Sequence, residues 1–130
     1  MQQPRHLVFV YGTLRRGGSN HFRMAGADFV ATGSIIGRMY RIDWYPGLIL
    51  DPSGYEIQGE IYQLDDELLA ALDLFEGISA GEVEGSEYRR VVTEVVQHDS
   101  QVLSAFVWEW LGMVDESQRI SNGDWLKDGE

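Results

Sequence analysis

In this 130-residue chain only residues 65–76 carry firm helical periodicity, while the other apolar segments are short, β-prone and closely spaced. That imbalance limits the architectures available. Closely spaced strands with a single firm helix predict an α+β fold: a small mixed sheet, curled toward a barrel, with few helices at its side or mouth. Residues 6–12 (HLVFVYG) read as a continuous apolar strand buried on both faces. Residues 28–43 read as β-prone stretches broken by Gly33 and Gly37, Trp44 to Gly47 as a turn, and Leu48 to Leu50 as a short strand. The alternation in 57–63 predicts another strand, and 87–97 and 101–111 predict two long ones joined at His98-Asp99-Ser100. A short helix capped by Ser19 is expected to run to Met24, and the Gly-rich segment 78–86 reads as a mobile loop. No linker or repeat divides the chain, so a single domain over 1–130 is expected.

The charge balance excludes several functions. Twenty-one acidic against ten basic residues leave a net charge of −11. Nucleic-acid binding needs clustered positive charge, as does docking on an anionic membrane, so neither partner is expected. Nine of the basic residues are Arg, whose planar fork leaves open a local carboxylate site. There is no Cys, which excludes disulfides and thiolate chemistry. His6, His21 and His98 are scattered, and no metal site is expected. The lone Lys127 argues against Schiff-base chemistry, and no G-x-S-x-G elbow or phosphate loop is present. No apolar run reaches the ~18–20 residues of a membrane span, and the N-terminus lacks the form of a signal peptide. A cytoplasmic location is the expectation.

Two places depart from pure folding logic. In the first, a buried strand runs directly into Tyr11-Gly12-Thr13-Leu14-Arg15. Gly12 lets a ligand approach the backbone, and successive N–H groups at a strand exit can form a nest for a carboxylate. The competing reading is an ordinary strand exit, with Tyr11 in the core and Gly12 in a turn. The second place is Glu76. At about 100° per residue, Leu68, Leu72 and Phe75 form one helical stripe, and Glu76 falls at its edge. Partial burial and the helix C-terminal dipole both disfavour a carboxylate there and raise its pKa, as a general base near neutral pH requires. Against this stands a solvated acid beside a C-cap Gly. Asp73 is read as solvated, and Trp108 and Trp110 as core.

Together these segments resemble a known family. Phe9-Val10-Tyr11-Gly12-Thr13-Leu14 looks like the YGSL or YGTL signature of the gamma-glutamylcyclotransferase-like (AIG2-like) superfamily. Leu72-Asp73-Leu74-Phe75-Glu76-Gly77 resembles its L-D-x-x-E-G helix end, and Tyr88-Arg89-Arg90 its following Y-x-R strand. Tyr45-Pro46-Gly47 and Gly123-Asp124-Trp125-Leu126 are similar to the short bacterial YtfP-like members. The resemblance implies a gamma-glutamylcyclotransferase-like fold with a cavity at one end. It implies a small-molecule gamma-glutamyl substrate that cyclises to 5-oxoproline and expels an amine, with no cofactor or metal. Carried onto this chain, Glu76 is the general acid/base, the backbone of Gly12, Thr13 and Leu14 holds the substrate, and Tyr11 and Tyr88 shape the pocket. A non-catalytic module binding a small carboxylate is the alternative. Thr13 stands where many members have Ser.

Overall fold

The first apolar run forms β1 (Arg5–Val10) and is covered on both sides, because its residues alternate between two clusters of apolar side chains. Phe9 belongs to the barrel interior with Ile35, Met39, Ile57, Ile61 and Val107, while Val8 and Val10 face outward under a helix. This computed structural model describes residues 5–128, so the ends of the expected 1–130 domain lie outside the described residues.

The strands are β2 (Asp28–Arg41), β3 (Pro46–Leu50), β4 (Tyr55–Asp65), β5 (Tyr88–Gln97) and β6 (Val102–Trp110). They follow the order β3-β2-β4-β1-β6-β5, and a further pairing of β2 with β5 joins the ends. Five strands, β2, β4, β1, β6 and β5, therefore close a ring, and β3 extends it from β2. The pairing of β1 with β6 is parallel and the others are antiparallel, giving the expected mixed barrel with few helices. Closure removes the open edges that a sheet of this length would otherwise expose.

Differences from the sequence reading have identifiable causes. β2 runs unbroken through Gly33 and Gly37, with a register shift between Phe29 and Ala31. Gly33 is paired on both sides, to Gly59 of β4 and Gln97 of β5, so two ladders hold a residue of poor strand propensity in place. β3 begins at Pro46, two residues earlier than expected. The expected Ser19-capped helix is a single 3₁₀ turn, His21–Met24, preceded by Asn20, whose side chain makes no capping bond. The 78–86 segment, read as a mobile loop, is tied at both ends. Ile78 is fully buried and its amide donates to the Asp73 carbonyl; Val83 accepts from the Arg90 amide, and Gly85 donates to the Tyr88 carbonyl.

The firm helix is α1 (Asp66–Phe75). Asp65 caps it by accepting from the Leu68 amide at 2.9 Å, and Asp66 and Glu67 in the first turn suit the helix dipole. Its buried face is Leu69, Leu72 and Asp73; Leu68 and Phe75 of the expected stripe are only half-buried. Asp73 is thus not solvated. Arg90 Nε donates to both its carboxylate oxygens at 3.0 and 3.1 Å, and Trp108 Nε1 donates at 2.8 Å. Arg90 and Trp108 are register partners on β5 and β6, so the sheet presents a cation and a donor together, and the helix turns its acid toward them. A four-residue helical segment, α2 (Trp125–Asp128), closes the described chain, with Trp125 fully buried in the barrel cluster. No helix among the described residues is long and apolar enough to cross a membrane.

Candidate functional site

Where β1 ends, residues 11–14 pass over the barrel and form one wall of a cavity of about 210 Å³. The end of α1 supplies the second wall with Phe75, Glu76 and Gly77, and the 44–46 turn supplies the third. Glu87, Tyr88 and Trp108 complete the lining. All six candidate residues, Tyr11, Gly12, Thr13, Leu14, Glu76 and Tyr88, border this one space. The volume lies below the ~300–1,000 Å³ of drug-sized pockets, which suits an amino-acid-sized group.

The strand-exit loop is held from below. Arg15 donates to Glu60 at 3.0 Å and to Asp124 at 3.0 Å, and the Arg16 amide donates to Glu60 at 2.8 Å. The fork that could have met a substrate carboxylate is therefore spent on internal, largely buried ion pairs. The Thr13 carbonyl accepts from the Asn20 amide at 2.9 Å, and Gly12 accepts from Arg15 at 3.0 Å. Among the described residues, the backbone amides of Gly12, Thr13 and Leu14 donate to no protein acceptor. Three successive unpaired donors beside a cavity leave hydrogen-bonding capacity there. Gly12 is required by a close approach to protein. A Cβ there would meet Pro46 Cγ at 2.6 Å and Cδ at 2.8 Å, so Gly12 lets the loop lie against the opposite wall.

Glu76 is the C-cap of α1, and Gly77 leaves the helix at φ 84°. The carboxyl is half-buried by its own exposure yet enclosed by the cavity walls. Burial raises its pKa from 4.5 to about 8, helped by the charges of Glu87 and Asp73. The site's tyrosines stay protonated. Tyr11 donates its hydroxyl proton to the Trp108 carbonyl at 2.6 Å, and Tyr88 to Pro46 at 2.7 Å. Burial pushes both well above the ordinary tyrosine value, and Glu76 adds to each. With their protons committed, these oxygens retain only acceptor capacity. Tyr45 donates to Glu87 at 2.9 Å and is raised to about 12, chiefly by burial. Among the described residues, no group of three or more His, Asp or Glu is placed to hold a metal.

Sequence reading missed part of this lining. Glu87 lies just before a strand and gives no periodic signal, and Trp44 belonged to a turn. Trp108, read as core, is both core and cavity wall, 2% exposed and bonded to Asp73.

Comparison with known proteins places the chain in a family. The chain is 32% identical over 120 residues to the gamma-glutamylcyclotransferase family protein YtfP of Escherichia coli K12, covering 92% of this chain and 95% of that one. It is 34% identical over 100 residues to the gamma-glutamylaminecyclotransferase of Rattus norvegicus, covering 68% and 62%. Among solved structures, an uncharacterised protein of Pyrococcus horikoshii superposes with a TM-score of 0.69 at 25% identity, covering 95% and 92%. An AIG2-like protein of Mus musculus does so with a TM-score of 0.69 at 26% identity, covering 88% and 82%. Residues 8–127, which carry the barrel, the strand-exit loop and the helix ending at Glu76, match the family described as gamma-glutamyl cyclotransferase, AIG2-like, and the chain belongs to that family.

Proposed function

We propose that this protein cyclises a gamma-glutamyl amine or amide to 5-oxoproline and releases the free amine, with Glu76 as the general acid/base. The observation that carries this reading is the meeting, in one small cavity, of an enclosed carboxyl and three unpaired backbone amides. The substrate's α-nitrogen attacks its own γ-carbonyl carbon. The new C–N bond closes the ring, and the bond to the departing nitrogen breaks. The α-ammonium gives up two protons and the departing amine gains two, so no water is consumed. Glu76 is suited to move them, because burial raises its pKa to about 8, near the pH at which a carboxyl can both accept and return a proton. The amides of Gly12, Thr13 and Leu14 take the substrate's carboxylate or its developing oxyanion. Tyr11 and Tyr88, with their protons committed, shape the floor. Attack within one molecule leaves the protein two tasks: folding the substrate into a reactive conformer and relaying protons.

A panel of gamma-glutamyl amides assayed for 5-oxoproline release tests the reading. Glu76→Gln keeps size and shape while removing the proton acceptor. Turnover should fall by roughly 10²–10⁴-fold with KM little changed. Wild-type turnover in that variant would overturn the role of Glu76. Saturable binding without release in the native protein would favour a carboxylate-binding module of the same fold.

A further inference from the structure

A second polar cluster begins where the strand-exit wall of the cavity ends, and none of its side chains lines the cavity. Arg15 sits at its centre. Its Nε donates to Glu60 Oε2 and its Nη1 to Asp124 Oδ1, each at 3.0 Å, and all three side chains are at most 12% exposed. Glu60 Oε1 accepts from the Arg16 amide at 2.8 Å and from the Tyr62 hydroxyl at 2.9 Å. Asp124 Oδ1 also accepts from the Leu126 and Lys127 amides at 3.1 and 3.2 Å, so the oxygen that starts α2 is the one that holds Arg15.

Such a cluster is a poor source of stability alone, because apolar residues of similar volume avoid the cost of burying ionised groups. What ionic bonds add is direction, since a guanidinium meets a carboxylate in a fixed plane. That direction falls on residues 12–15. The Arg15 amide donates to the Gly12 carbonyl at 3.0 Å, so these four residues form one tight turn, and the unpaired amides of Gly12, Thr13 and Leu14 belong to it. Holding the Arg15 side chain fixes the far end of the turn. The near end refers to the same acid, because Glu60 is the register partner of Val10 in the pairing of β1 with β4. Asp124 is itself firmly seated. The Gln58 amide donates to the Gly123 carbonyl at 2.7 Å, a Cβ on Gly123 would meet the Glu56 carbonyl oxygen at 2.0 Å, and Trp125 is fully buried.

Resting on the cyclisation reading above, we propose that Glu60 and Asp124 are positioning residues for the substrate-binding turn. Acting through Arg15, they aim the amides of Gly12, Thr13 and Leu14 into the cavity, and they couple the segment that ends in α2 to the bound substrate. Neither acid touches the substrate. The coupling is reciprocal: if the Asp124–Arg15 bond favours binding, binding favours that bond by the same factor.

Asp124→Ser separates the two duties of that carboxylate, because a serine hydroxyl still caps the amides of α2 but is too short to reach Arg15. Ile120→Val is the control: it trims a fully buried side chain nearby and leaves Arg15 with both partners. The Arg15, Arg16 and Asn20 amides, whose acceptors are Gly12, Glu60 and Thr13, report on the turn. In Asp124→Ser without ligand their hydrogen exchange should speed up about tenfold or more relative to the amides of β4, a ratio that a general loss of stability, as in Ile120→Val, leaves unchanged. Binding is read by calorimetry with gamma-glutamyl methylamide, with Glu76→Gln added to every protein to prevent turnover. Kd should weaken about five- to fiftyfold in Asp124→Ser and stay within about twofold in Ile120→Val. Glu60→Gln should move both readouts in the same direction as Asp124→Ser. With Asp124 in place, the bound probe should slow exchange at Leu126 and Lys127. Unmoved turn amides in Asp124→Ser, or a loosened turn with unchanged Kd, would overturn the proposal. If the native protein neither binds the probe nor releases 5-oxoproline from it, the cyclisation reading fails, and the exchange rates still decide whether Asp124 holds the turn.

Discussion

Replacing Glu76 by Gln is expected to make the protein more stable in mild alkali and to leave its stability unchanged in acid. The reason is the cost of ionising a carboxyl inside the cavity. In the unfolded chain this group titrates near 4.5, and in the folded protein near 8. Below pH 4.5 both states hold the proton and the group contributes no difference. Between 4.5 and 8 the unfolded chain releases its proton while the folded one retains it, so stability falls as pH rises. Above 8 both are ionised and the full cost is present. At 1.36 kcal/mol per pH unit the ceiling is about 5 kcal/mol. The side chain is only half-buried, so solvent screens it in part even between the cavity walls, and about 1–3 kcal/mol is the expected effect. For a chain of this length 1 kcal/mol moves Tm by about 4 °C. Melting curves of both proteins from pH 4 to pH 9 should start together and diverge by about 4–12 °C, with the variant the more stable. The other carboxylates are common to both proteins and cancel. Parallel curves across this range would refute the reasoning, because a Glu76 that titrates normally is neither desolvated nor pressed by Glu87 and Asp73.

Two further substitutions probe the walls. Asp73→Ala leaves Arg90 without its carboxylate and the Trp108 indole N–H without an acceptor, and should cost about 3–5 kcal/mol, read as a shift of the urea midpoint. Gly12→Ala places a methyl 2.6 Å from Pro46 and should cost about 1–3 kcal/mol in stability while weakening binding of gamma-glutamyl amides; unchanged affinity in the folded variant would show that the loop–Pro46 contact does not shape the cavity.

The elements that local chemistry governs were legible in the sequence. A continuous apolar run with no polar alternation must be covered on both faces, and β1 lies between the barrel interior and α1. An acidic start and a following Gly bracketed α1 to within a residue. What escaped was set by partners far along the chain. Asp73 looked solvated because its partners lie 17 and 35 residues away. The Arg forks left a local carboxylate site open, but that of Arg15 is taken by Glu60 and Asp124, 45 and 109 residues away. Gly12 read as a place for ligand approach; its missing Cβ is needed first by Pro46, across the cavity. In each case the residue type was informative and the partner was not, since side-chain periodicity records which face is buried and not what it is buried against.

Asp73 and Glu76 stand three residues apart, so one helical face carries both acids inward. An amphipathic helix held only by Leu69 and Leu72 could roll on the sheet, since apolar contacts are not directional. The bonds from Arg90 and Trp108 to Asp73 remove that freedom, because a guanidinium and an indole N–H accept only one orientation of the carboxylate. With α1 fixed in rotation, Glu76 one turn later is fixed beside the cavity at the helix end, where the dipole disfavours its charge. The same bonds therefore account for two properties at once. They anchor the helix to β5 and β6, and they hold a carboxyl where water would otherwise draw it outward. Asp73 is in this sense a positioning residue, satisfied and internal, while Glu76 makes no side-chain hydrogen bond among the described residues and remains available to a ligand.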